Sequence, residues 1–67
     1  MIVKLDITAI KKLMVEQRMT GVALAKLTGI SRQNISTILR RGTCSSKNVG
    51  LLADALGVEI EEIWKED

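Results

Sequence analysis

The sequence of 67 residues contains no His, Pro, Phe or Tyr, and it has one Trp and one Cys. Without His there is neither an imidazole base at neutral pH nor a Ser–His or Cys–His catalytic pair. One Cys cannot form an internal disulfide, and without His it leaves no ordinary set of zinc ligands. We therefore predict a protein that is not an enzyme, uses no metal or cofactor, and has an aliphatic core.

Long apolar runs are also missing. None approaches the roughly 20 residues that span a bilayer. The segment from Met1 to Asp6 is too short and too soon charged for a signal peptide. These features predict a cytoplasmic protein with no membrane partner and a reduced thiol at Cys44. A redox-sensing role for Cys44 is the alternative to a passive thiol.

The composition, with 46% apolar and 27% charged residues, is typical of a folded globular chain. The length predicts one domain over residues 1–67 and leaves no chain for a separate sensor domain. Because so small a core contributes little net stability, we expect dimerisation to supplement it.

Charge is distributed unevenly along the chain. Residues 1–50 hold nine cations and two anions, a net charge of +7, whereas residues 51–67 hold one cation and six anions, a net charge of −5. This asymmetry indicates a polyanionic partner for the first part, and solvent or another protein for the second. Two solvated faces of opposite sign would give the same pattern.

Apolar residues recur at helical spacing almost throughout, which predicts an all-α fold of five helices joined by short links. Residues 1–5 alternate weakly and stay unassigned, with an extended segment as one option. The segment Thr43–Ser46 is expected to be a loop that also supplies a helix cap. The first predicted helix starts at Ile7, is capped by Asp6 and ends near Arg18–Met19, and the second is capped by Thr20 and is broken at Thr28-Gly29. The third covers about 32–41 and is capped by Ser31, and the fourth covers about 47–56 and is stopped by Gly57. A short last helix contains Val58, Ile60, Ile63 and Trp64.

The second and third predicted helices have the features of a helix-turn-helix. Two helices that cross steeply at close range need a small contact residue, which Ala25 provides. The turn between them needs a residue that tolerates positive φ, which Gly29 provides. The second of the two helices is expected to be fastened to the core by Ile30, Ile35 and Ile38.

The outer face of the third helix carries a polar stripe with no acidic residue. At 100° per residue the stripe lies almost opposite Ile35 and Ile38. Gln and Arg pair bidentately with adenine and guanine edges in a major groove. An ordinary solvated face is the alternative, but the turn and the local positive charge favour contact with DNA. The stripe consists of Gln33, Ser36, Thr37 and Arg40.

These segments together resemble the Xre family, the lambda-repressor-like and Cro-like helix-turn-helix regulators of bacteria and their phages. The matching segments are Leu24-Ala25-Lys26-Leu27-Thr28-Gly29-Ile30-Ser31, Ile35-Ser36, Ile38, Gly42, Leu52-Ala53 and Ala55-Leu56-Gly57-Val58. The resemblance runs from about Ile7 to Trp64 and implies a compact five-helix domain that binds double-stranded operator DNA, commonly as a homodimer.

The resemblance also implies which residues contact DNA. The base-contacting residues would be Arg32, Gln33, Ser36 and Thr37. The phosphate-contacting residues would be Thr20, Gly21, Asn34, Arg40, Arg41, Thr43, Ser45 and Lys47. A helix N-terminus such as that at Thr20 favours a phosphate because its free N–H groups and its dipole both attract an anion.

The chain departs from the family pattern at three places. Gly21 stands where many members have a phosphate-contacting Gln. Met14 and Leu39 stand where many have an Arg–Glu pair, which an apolar pair of similar bulk can replace. The segment 38–42 is one residue longer than the commonest form, which leaves the path of the following loop open.

Our interpretation is a repressor of phage or mobile-element type. A protein-interaction module on the same fold, an antitoxin or antirepressor, is the alternative, and nonspecific architectural DNA binding is a weaker one. A regulatory protein partner is compatible with all three. Trp64 is expected to cover the core, to contact a second subunit, or both. The acidic end, which would repel DNA, is expected to point away from it and comprises Glu59, Glu61, Glu62, Glu66 and Asp67.

Overall fold

The computed structural model describes residues 1–65, which form four α-helices and a short antiparallel sheet of two strands. A single turn of 3₁₀ helix, Ile60–Glu62, follows the last α-helix. The elements in chain order are β1 (Ile2–Lys4), α1 (Ile7–Glu16), α2 (Gly21–Thr28), α3 (Arg32–Arg41), β2 (Thr43–Ser45) and α4 (Ser46–Leu56).

Every α-helix begins at a side-chain cap, three at the predicted residues and the fourth within the segment Thr43–Ser46 that was expected to supply it. In each case the side-chain oxygen accepts a hydrogen bond from the backbone N–H three residues later, which pairs an amide that the helix itself leaves free. The four bonds measure 3.0–3.2 Å, and their capping residues are Asp6, Thr20, Ser31 and Ser45.

The first helix is shorter than predicted. The sequence analysis placed its end near Met19, but α1 ends at Glu16. Arg18 then adopts a positive φ of 54°, and the Met19 N–H donates to the Met14 carbonyl. This left-handed residue turns the chain toward the start of α2.

The prediction of a strictly all-α fold is wrong, because residues 43–45 are a strand and not a loop. Val3 lies opposite Cys44 in the antiparallel pair, and both side chains are buried. Their neighbours Ile2 and Ser45 are exposed. The alternation of one buried residue between exposed ones suits a strand that covers the core with one face.

The fifth predicted helix is also wrong. Residues 60–62 form one 3₁₀ turn, after which Trp64 forms an isolated antiparallel bridge with Leu5, the residue that follows β1. The Asp6 N–H donates to the Ile63 carbonyl at 2.9 Å, and the Lys65 N–H donates to the Lys4 carbonyl at 3.0 Å. These backbone groups of Ile63 and Lys65 pair with residues 4–6 and therefore do not continue a helix. Glu66 and Asp67 of the acidic end lie outside the described residues.

The buried side chains form one cluster to which all four helices and both strands contribute. Ile10, Leu24, Leu52 and Ile63 are fully buried in it. Trp64, which follows Ile63 in the chain, is 37% exposed. Within residues 1–65, no helix is long and apolar enough to cross a membrane.

Candidate nucleic-acid interface

The turn between α2 and α3 is fixed by short-range hydrogen bonds. Gly29 adopts a φ of 77°, and its N–H donates to the Ala25 carbonyl at 2.9 Å. The buried Thr28 hydroxyl donates to the Leu24 carbonyl at 2.8 Å and accepts from the Ile30 N–H at 3.1 Å. Because the Thr28 hydroxyl and the N–H groups of Gly29 and Ile30 are all paired, these bonds help to fix the direction in which α3 leaves the turn.

The core holds α3 by one face and presents the other to solvent. Ile35 and Ile38 are 2% and 4% exposed, so they anchor the helix. Thr37 is half-buried, and its hydroxyl donates to the Gln33 carbonyl one turn earlier at 3.1 Å. The remaining polar residues of α3 are exposed: Arg32, Gln33, Asn34, Ser36, Arg40 and Arg41.

A hollow of about 890 Å³ lies between this face and the start of α2. We call it the α2–α3 hollow. It brings together all four residues that were predicted to contact bases, together with Gly21 and Arg40. The residues that line it are Met14, Gly21, Arg32, Gln33, Ile35, Ser36, Thr37, Leu39 and Arg40.

Two departures from the family pattern meet in this hollow. Met14 and Leu39 both line it and both pack against the core, half-buried. They supply an apolar wall where many members of the family have an ion pair. A Cβ atom built on Gly21 would meet nothing within 4 Å, so this position is open toward the hollow.

A second hollow, of about 490 Å³, lies on another side of the last turn of α3. We call it the basic cleft, because four of the residues that line it are cations: Lys4, Arg40, Arg41 and Lys65. The sequence analysis predicted Arg40 and Arg41 as phosphate contacts but did not select Lys4 or Lys65. No local motif marks these two lysines, since they come from opposite ends of the chain and meet only through the pairing of residues 63–65 with β1.

The other predicted phosphate contacts are distributed over β2 and the first turns or caps of α2, α3 and α4. Thr43, half-buried in β2, also lines the basic cleft. Thr20 and Ser45 are exposed, and their oxygens already accept the capping bonds of α2 and α4. Lys47 is exposed in the first turn of α4. Asn34 is exposed, and its backbone N–H is capped by Ser31.

Cys44 was expected in a loop, but it lies in the strand β2. It is buried in β2, 7% exposed, and burial raises the pKa of its thiol because the thiolate would lose hydration. The longer segment 38–42 is accommodated because α3 continues to Arg41. Gly42, at a φ of 76°, then turns the chain directly into β2.

The comparison with known families agrees with this geometry. The model of the Cro/C1-type HTH DNA-binding domain matches residues 9–65, which include all four α-helices from the first turn of α1 onward. No curated protein and no solved structure matches the chain. The resemblance to the Xre family is thereby confirmed, and DNA is the partner of this domain. The chain belongs to the family of Cro/C1-type helix-turn-helix DNA-binding domains.

Proposed function

We propose that this DNA-binding protein is a sequence-specific transcriptional repressor that acts in the cytoplasm and places α3 in the major groove of duplex DNA. The observation that carries the proposal is the outer face of α3. It is exposed, contains no acidic residue, and carries amide, hydroxyl and guanidinium groups opposite the buried Ile35 and Ile38. Such a face can approach phosphates without repulsion and can pair with base edges.

Within this proposal, the α2–α3 hollow provides direct readout of bases. Gln33 and Arg32 have the side chains that pair bidentately with adenine and guanine, and Ser36 adds a hydroxyl of either polarity. Thr37 offers its methyl group and the free lone pairs of its oxygen, since its hydroxyl hydrogen bonds within the helix. The proposed base contacts are therefore Arg32, Gln33, Ser36 and Thr37.

The phosphate contacts come from groups around that face. The free N–H groups at the start of α2 suit an anion, and the exposed guanidinium groups of Arg40 and Arg41 suit another. The proposed phosphate contacts are Thr20, Gly21, Asn34, Arg40, Arg41, Thr43, Ser45 and Lys47.

Residues 1–67 are proposed to act as a single domain. The repressor is proposed to be of phage or mobile-element type and to bind as a homodimer. One core that extends from Val3 to Ile63 supports the single domain. Two copies would place their α3 helices about 34 Å apart, one turn of DNA, on a two-fold symmetric site.

Selection of binding sites from a pool of random duplexes at moderate salt tests the proposal. Enrichment of a two-fold symmetric sequence would support a sequence-specific dimer. A single unsymmetric half-site would support DNA reading and contradict the dimer. Absence of enrichment, with binding that disappears as salt rises, would contradict base readout and turn attention to a protein partner.

A further inference from the structure

We propose that the basic cleft binds the sugar–phosphate backbone of one DNA strand, with Lys65 and Lys4 as phosphate contacts outside the helix-turn-helix. The inference rests on the proposed function and extends it. The start of α2 would contact the backbone of one strand, and the basic cleft would contact the backbone of the other.

The charge of the cleft matches a polyanion. Its lining contains four cations, from β1, the last turn of α3 and the segment after the 3₁₀ turn. Asp6 is the one acidic residue among its described lining residues, and its carboxylate already accepts the capping hydrogen bond from the Ala9 N–H at 3.0 Å. Thr8 and Thr43 add hydroxyl groups to the same lining.

The position of the cleft relative to α3 suggests which part of DNA occupies it. Leu39 and Arg40 line both hollows, so the two hollows flank the last turn of α3. An α-helix with its side chains is about 10–12 Å wide, and the major groove of B-DNA is about 12 Å wide. A helix seated in the groove therefore has a phosphate backbone on each side. Gly21, at the start of α2, lines only the α2–α3 hollow, whereas Lys4, Arg41 and Lys65 line only the basic cleft. We therefore assign the two backbones to these two sides of α3.

Backbone hydrogen bonds hold Lys4 and Lys65 near the end of α3. The Leu5 N–H donates to the Gly42 carbonyl at 2.8 Å, which joins the residue after β1 to the residue that ends α3. The Lys65 N–H then donates to the Lys4 carbonyl on the other edge of the same strand at 3.0 Å. Lys65 is thus held beside the end of α3, although it lies 24 residues after Arg41 in the chain.

The test compares the full-length wild type with Lys65→Gln and with Lys26→Gln. Lys26 is a matched control, since it is exposed in the last turn of α2 and lines neither hollow. Kd on the selected duplex is measured between about 50 and 200 mM salt. Each phosphate contact adds about 0.9 to the magnitude of the negative slope of the log association constant against log salt. The duplex is then substituted with neutral methylphosphonates, one phosphate at a time and one strand at a time.

We expect Lys65→Gln to lower the magnitude of the salt slope by about 1, and Lys26→Gln to leave it unchanged. A methylphosphonate at the phosphate that Lys65 contacts should weaken DNA binding by the wild type but not by Lys65→Gln. The double variant Lys4→Gln/Lys65→Gln should lower the slope further.

A wild-type slope and a wild-type methylphosphonate pattern for Lys65→Gln would overturn the inference. The same holds if Lys65→Gln abolishes binding to polyglutamate without changing the duplex slope, since the cleft would then serve an acidic protein. Loss of base preference in the wild type contradicts the proposed function instead. A lowered slope for Lys65→Gln in that case would still support the cleft as a phosphate site.

Discussion

Val3 and Cys44 lie directly opposite each other in the sheet, and this pair ties the beginning of the chain to β2, the strand that follows α3. Both side chains are buried, at 2% and 7% exposure, and the strand residue beside them, Ile2, is 73% exposed. The end of α3 is therefore positioned by a strand that lies outside the helix-turn-helix.

The contribution of this pair to stability can be measured with two substitutions in the same strand. Val3→Ala should lower the free energy of unfolding by about 1–3 kcal/mol, because it removes buried methyl groups and leaves a cavity. Ile2→Ala, which truncates an exposed side chain, should change it by less than about 0.5 kcal/mol. Urea denaturation followed by Trp64 fluorescence gives both values, and equal losses would contradict a core role for Val3.

The buried thiol of Cys44 predicts a pH dependence of stability. Burial raises the pKa of the folded-state thiol above its unfolded value, so folding favours the protonated form. Its stabilising contribution is therefore complete below the unfolded pKa of about 8.5 and is lost as pH rises through the higher folded value. The difference in unfolding free energy between wild type and Cys44→Ala should shrink with rising pH above about 8.5, and a difference that is flat or grows would contradict the burial argument.

Gly21 predicts a gain of affinity. A side chain at this position meets open space, so Gly21→Gln should fold and place an amide beside the α2–α3 hollow. We expect tighter binding by about 0.5–1.5 kcal/mol from one added hydrogen bond to phosphate. Gly21→Ala is the control, because it adds helix propensity without the amide. Equal affinities for the two variants would contradict a phosphate within reach of a side chain at this position.

Arg41 is predicted to contact a phosphate from the basic cleft. Arg41→Ala should weaken binding to all sequences uniformly and lower the magnitude of the salt slope by about 1. Titrations at several salt concentrations, with Lys26→Ala alongside, measure this. An unchanged slope, or a loss confined to one sequence, would contradict the assignment.

The helices could be predicted from the sequence because their signals are local. Asp6, Thr20 and Ser31 each cap a helix through a bond to the amide three residues later, and Gly29, Gly42 and Gly57 end helices in the left-handed conformation. The exposed stripe of α3 follows from helical periodicity in the same way.

The sheet and the basic cleft could not be predicted from local patterns. Val3 pairs with a residue 41 positions later, and Leu5 pairs with one 59 positions later. Strands of three residues carry too little alternation to show which partner they take. Lys4 and Lys65 meet only through these long-range bonds, which is why their joint position at the end of α3 emerged from the structure.

Base-pair readout by α3 is tested with a substitution at Gln33. Kd is measured for wild type and Gln33→Ala on the selected duplex and on variants that change each base pair singly. If α3 reads base pairs, Gln33→Ala should reduce the free energy of binding to the best site by roughly 1–3 kcal/mol. It should also abolish the preference at one base pair while the other preferences stay intact. Equal losses on every duplex, with all base preferences retained, would contradict base-pair readout by α3.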